Sequence, residues 1–210
     1  MIKILDYGMG NTASMMNMIH KVGGKAELCS RPGELDSASA IILPGVGSFD
    51  NAMIKLENSG LLEVLCSKVL KEKIPFLGIC LGMQLLFERS EEGKLPGLGW
   101  IKGDVKSFNF SGVQSNIRLN VPHMGWNVIN PKINENLFFG LENEARFYFV
   151  HSYHVNCHHP SNILATTNYG YQFTCFVRHE NILGVQFHPE KSHRFGMQFF
   201  KNFFKEINYA

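Results

Sequence analysis

A chain of 210 residues, 45% of them hydrophobic, can bury one full core and has little room for a second, so one domain over 1–210 is expected. Its twenty Lys and Arg stand scattered against eighteen Asp and Glu, a net charge of +2 with no basic stripe, which argues against a nucleic-acid partner. The opening Met1-Ile2-Lys3-Ile4-Leu5-Asp6 lacks the pattern of a secretory signal, and no apolar run approaches the roughly 18 residues that span a bilayer. Five cysteines, at 29, 66, 80, 157 and 175, form an odd and irregular set that suits reduced thiols, so a cytoplasmic protein away from membranes is expected.

Ile2 to Leu5 is a short apolar run closed by Asp6-Tyr7-Gly8-Met9-Gly10, and Met15, Met18, Ile19 and Val22 follow at helical spacing. The same order then recurs. Strands are predicted over Ala26 to Cys29 and Ala40 to Leu43, helices over Ser48 to Glu57 and Leu61 to Lys71, a strand over Pro75 to Ile79, and a helix over Leu81 to Arg89. Such alternation predicts an α/β fold with a mostly parallel central sheet covered by helices on both faces. From Gly99 to Phe187 most segments alternate apolar and polar residues, as in Asn116 to Val121, which predicts an added antiparallel region in the C-terminal half. Phe173 to Val177 and Ile182 to Phe187 flank a hairpin turn at Arg178 to Asn181, and Phe195, Phe199, Phe203 and Ile207 mark an amphipathic terminal helix.

Chemistry concentrates where strands end. Gly78-Ile79-Cys80-Leu81-Gly82 places a thiol between two glycines at a predicted strand-to-helix turn, the pattern of a nucleophile elbow. There a helix dipole and free N–H groups favour a thiolate, and the Leu81 N–H can face an oxyanion. Free cysteines are also often buried structural residues. Gln186-Phe187-His188-Pro189-Glu190 ends another strand, and in extended backbone i and i+2 point the same way, so Glu190 can hold one nitrogen of His188 while the other meets the thiol. A solvated polar turn is the plain alternative. Leu43-Pro44-Gly45-Val46-Gly47-Ser48 follows a third strand; its glycines let Val46 and Gly47 turn an N–H inward as a second oxyanion donor, unless the segment is an ordinary turn.

Pro44-Gly-Val-Gly-Ser-Phe49, Gly78-Ile-Cys-Leu-Gly-Met-Gln84, Tyr148-Phe-Val-His-Ser-Tyr153 and His188-Pro-Glu-Lys-Ser192 resemble the class I, or triad, glutamine amidotransferases over essentially the whole chain. Within that class, Asp6-Tyr-Gly-Met-Gly-Asn11 and Pro122-His-Met-Gly-Trp-Asn127 resemble the glutaminase subunits of imidazole glycerol phosphate synthase. The resemblance implies that Cys80 attacks glutamine, that His188 is acid and then base, and that Glu190 orients it. It implies glutamine-binding positions at Gly47, Gln84, Glu92, Ser152 and Tyr153, and a partner-facing edge at Trp126, Tyr148 and Lys191. It also implies a heterodimer with a HisF-like (β/α)8 cyclase subunit that receives the ammonia and makes imidazole glycerol phosphate and aminoimidazole carboxamide ribotide, with no cofactor and no metal. Glutaminase activity in such subunits is weak until the partner binds its nucleotide. Some relatives feed a different synthase, such as one that amidinates a surface sugar.

Two other patterns compete for attention. Gly8-Met-Gly-Asn-Thr-Ala13 fits a dinucleotide fingerprint, yet the next strand ends at Ser30-Arg31 without the acidic residue that holds a ribose. His154-Val-Asn-Cys-His-His159 fits no standard zinc spacing, and solvated loop residues account for it. A Cys-His peptide hydrolase would share the same triad logic.

Overall fold

The computed structural model describes residues 1–114, 118–132, 135–141 and 144–208. The N-terminal half builds β1 (Ile2–Leu5), α1 (Thr12–Lys21), β2 (Ala26–Cys29), β3 (Ala40–Gly45), α2 (Phe49–Asn58), α3 (Leu61–Cys66), β4 (Phe76–Cys80) and α4 (Leu81–Gln84). The C-terminal half adds β5 (Gly103–Ser107), β6 (His123–Pro131), β7 (Arg146–His151), β8 (Tyr153–Cys157), β9 (Ile163–Tyr169), β10 (Tyr171–His179), β11 (Ile182–Val185) and α5 (His193–Glu206).

Strands β2, β1, β3, β4 and β11 lie side by side in parallel, and the sheet continues antiparallel through β10, β9, β6 and β7, with β8 and β5 branching from β10. Every residue of β1, β3, β4 and β11 is buried, as a parallel strand covered on both faces must be. Alternate side chains feed opposite cores. Ile2, Ile4, Ile42, Leu77 and Ile79 pack with α1 and α5, while Leu5, Ile41, Leu43 and Phe76 pack with α2 and α3. On α5 the predicted stripe is present and wider than expected, because Phe200 and Phe204 are buried beside Phe199 and Phe203.

Four predicted segments differ. The helix expected over Leu81 to Arg89 stops at Gln84: Leu86 and Phe87 bond three residues back, and the carbonyls of Leu85, Leu86, Phe87 and Glu88 are taken by N–H groups of Leu98, Ile101, Gly99 and Gly97. The helix expected to run to Lys71 ends at Cys66 and closes with a wide π turn over Ser67–Lys71. Of the segment Asn116 to Val121, the first two residues lie outside those described, and Arg118 to Val121 form no strand; the Asn120 N–H and C=O both bond the Tyr169 hydroxyl instead. The hairpin turn is shorter than expected, since pairing runs on to His179 and Ile182.

Candidate active site

β11 lies parallel to β4 with Gly184 beside Gly78 and Val185 beside Ile79, so the chain leaving β11 delivers His188 to the end of β4, where Cys80 sits. Cys80 has φ 55 and ψ −108, a backbone conformation that non-glycine residues rarely adopt and the geometry of a nucleophile elbow. The turn is tight enough that a Cβ on Gly82 would lie 2.0 Å from the Leu43 carbonyl oxygen, and one on Gly78 would lie 2.5 Å from that of Gly82. Because α4 is a single turn, its dipole is small; what it offers an anion is the first N–H groups, which have no partner inside a helix.

His188 Nδ1 lies 2.8 Å from Glu190 Oε1, with both side chains almost wholly buried. The other ring nitrogen, Nε2, is buried and without a hydrogen bond among the described residues. Burial alone would push the imidazole pKa down, but charge on the Cys80 sulfur and on the Glu190 carboxylate overrides it and holds the value up, at about 10. A proton therefore stays on His188 whenever Cys80 is a thiolate. The Cys80 Sγ lies 3.7 Å from Gln186 Nε2 and 3.9 Å from the Val150 carbonyl oxygen. Gln186, fully buried, is a contact of the nucleophile that the sequence reading left unassigned, although it opens the segment that carries His188.

Cys80 opens onto a cleft of about 410 Å³ whose walls include Val46, Gly47, Leu81, Gln84, Glu92, Ser152 and Tyr153, so the structure gathers the oxyanion and glutamine-site expectations in one place. Pro122, Val150 and His151 join them; each stands inside a motif that carries the resemblance, with no cleft role expected of it. Gly47 has φ 109, and a Cβ there would press to 2.8 Å from the Met9 methyl. The Tyr7 hydroxyl donates to the Pro44 carbonyl, so the residue just before the segment that mimics a dinucleotide fingerprint braces the Pro44–Ser48 loop. Glu92 accepts from the Phe49 N–H at the start of α2, and burial raises its pKa. Gln84 donates to the Tyr153 carbonyl at 2.9 Å and to Gln186 Oε1 at 3.1 Å, which leaves only its own Oε1 for a ligand.

Trp126, Tyr148 and Lys191 also come together. The Trp126 and Tyr148 rings are 6.2 Å apart, and Lys191 Nζ lies 5.8 Å from the Tyr148 ring centre. Trp126 is 46% exposed and stacks on His193, with Met124 and Val121 exposed nearby in sequence. The His188 N–H donates to the Tyr148 carbonyl and the Tyr148 N–H donates to Ser192 Oγ, so this face backs directly onto the triad. In the histidine-rich run, His154 bonds the Tyr171 hydroxyl and Cys157 bonds the His159 carbonyl; no group of His, Cys, Asp and Glu suited to a metal occurs among the described residues. Nor is any described helix long and apolar enough to cross a membrane.

A parallel sheet that ends in an elbow cysteine beside a carboxylate-held histidine is the site of a triad enzyme acting on an amide, and the chain matches the family model "Glutamine amidotransferase class-I" over residues 3–207. It belongs to that family. It is 50% identical over 204 residues to the imidazole glycerol phosphate synthase subunit HisH of Bdellovibrio bacteriovorus, covering 97% of this chain and 98% of the relative. It is likewise 50% identical over 206 residues to subunit HisH 2 of Methanococcus maripaludis, covering 98% of this chain and all of the relative. Among solved structures, PurLQS from Thermotoga maritima shares the fold with TM-score 0.72 at 17% identity, covering 98% of each chain.

Proposed function

We propose that this chain is the glutaminase subunit of an imidazole glycerol phosphate synthase, acting as a single domain of 210 residues in the cytoplasm. The observation that carries the chemistry is the strained Cys80 beside a buried His188 whose free nitrogen has no other partner among the described residues. Cys80 sulfur bonds to the side-chain amide carbon of glutamine while N–H groups of Leu81 and of the Val46–Gly47 loop face the resulting oxyanion. His188 gives its proton to the departing nitrogen, which leaves as ammonia. Water then attacks the thioester, losing a proton to His188, and glutamate departs as the thiol re-forms. Glu190 holds the imidazole in place throughout.

Glu92, Gln84, Ser152 and Tyr153 line the cleft and would hold glutamine, with the Glu92 carboxylate matched to its α-ammonium. Trp126, Tyr148 and Lys191 would face a HisF-like (β/α)8 cyclase that takes up the ammonia; the near-full-length likeness to HisH subunits supports this partner. Incubation with a glutamine-like chloroketone should place one adduct on Cys80, and addition of a HisF-like cyclase with its nucleotide should raise ammonia release. Labelling that spares Cys80 would defeat the chemical reading. Stimulation only by another synthase, such as one that amidinates a surface sugar, would move the pathway and leave the chemistry standing.

A further inference from the structure

Behind the cleft runs a continuous line of hydrogen-bonded polar groups, half-buried at Asn127 and Tyr153 and buried at His123, His151, Gln84 and Gln186, that reaches from β6 to the nucleophile. At its outer end the Asn127 amide is oriented by two backbone groups: Oδ1 accepts from the Val128 N–H at 2.8 Å, and Nδ2 donates to the Asn168 carbonyl at 2.8 Å. The same Nδ2 faces His123 Nε2 at 3.3 Å, so that ring nitrogen must accept. His123 Nδ1 then carries the proton and donates to His151 Nε2, 2.9 Å away. His151 in turn must carry its proton on Nδ1, and this is what its 2.8 Å contact with the Tyr153 carbonyl requires independently. The two ends of the line thus demand the same pair of neutral tautomers.

The line continues past that carbonyl. Tyr153 O also accepts from Gln84 Nε2, which fixes the Gln84 amide; Gln84 bonds Gln186 Oε1, and this leaves Gln186 Nε2 to point at the Cys80 sulfur. A carbonyl can only accept, so the single oxygen of Tyr153 sets the direction of every bond on both sides. The surroundings favour the uncharged state. Burial lowers the pKa of both histidines, and His123 is packed between the rings of Tyr169 and Phe149, with centres 4.1 and 5.0 Å away.

We propose that His123 and Asn127 are positioning residues for the glutaminase reaction: through His151, Tyr153, Gln84 and Gln186 they hold the cleft wall and the Cys80 sulfur in register with the exposed end of β6. The proposal rests on the glutaminase reading. A proton added to either ring would turn His123 Nε2 from acceptor to donor against the Asn127 amide, so the line tolerates one hydrogen-bond arrangement only.

Two variants test it in complex with a HisF-like cyclase. His123→Asn keeps a donor at the place of Nδ1, whereas His123→Leu removes it at similar bulk. The expected result is that His123→Leu lowers kcat roughly 10- to 100-fold with little change in KM, while His123→Asn recovers most of the rate. Equal losses in both variants, accompanied by equal falls in melting temperature, would show a packing role and overturn the proposal, as would wild-type kcat in both. The tautomers are read separately from 15N shifts of labelled histidine: both rings should be neutral with the proton on Nδ1, and an Nε2 proton on either overturns the line. Those spectra need no turnover, so a chain without glutaminase activity would fail the functional reading while leaving the line itself to be judged on the spectra.

Discussion

A thiol and an imidazole become a reactive pair only when something holds the imidazole charged and aimed, and here that is Glu190, 2.8 Å from His188 Nδ1 and scarcely exposed. Glu190→Gln keeps the shape but removes the charge and permits the wrong tautomer. We expect kcat for glutamine hydrolysis to fall roughly 100- to 10,000-fold with the fold intact, as checked by steady-state ammonia release and circular dichroism. The pair itself was legible in the sequence, because the i, i+2 spacing of His188 and Glu190 fixes their relative direction wherever the backbone is extended. Gln186 was not. Nothing in its spelling shows that a fully buried amide would be turned toward the sulfur; that depends on Gln84, on another element.

Between β4 and α4 the backbone turns so sharply that side-chain volume is excluded at Gly82, where a Cβ would lie 2.0 Å from a backbone oxygen of β3. Gly82→Ala must push β3 and the elbow apart. The expected outcome is a loss of roughly 1–3 kcal/mol in urea unfolding, with a loss of Cys80 labelling larger than the stability change alone explains. Wild-type labelling in this variant would show that the elbow has slack. Element order and type from β1 to β4 followed from apolar runs and helical spacing, since a strand buried on both faces reads as a short continuous apolar run bounded by turn residues. The shortness of α4 did not follow, because Leu85 to Phe87 are apolar and helix-compatible; their carbonyls are diverted by the loop over 97–101, a tertiary competitor that no local pattern announces.

Across the whole molecule, acid should act first through the buried histidines. His123 is neutral in the fold with a pKa lowered to about 4 by burial, and burial also lowers His151 and His154. The unfolded chain therefore takes up protons that the fold refuses, and stability falls as pH drops from about 6.5 towards 4. For His123 alone this amounts to about 2 kcal/mol between pH 7.5 and pH 5, measured by denaturant unfolding at the two values. His188 has the opposite sign: its raised pKa contributes fully below about 6.5 and is lost only as pH climbs through about 10, so it leaves the acid window flat. A stability curve level from pH 7.5 to 5 would contradict neutral burial of these rings. What the sequence by itself determined was the class of fold, the elbow at Cys80, the His188–Glu190 pair and the motifs of the cleft, because each is written in residues a few positions apart whose geometry is local. Only the tertiary structure decided which carbonyl closes which amide, that Asn127 and Cys80 stand at two ends of one hydrogen-bonded line, and where α4 stops. Those outcomes depend on groups far apart in the chain competing for the same buried partners, and that competition is settled only when the sheet has assembled.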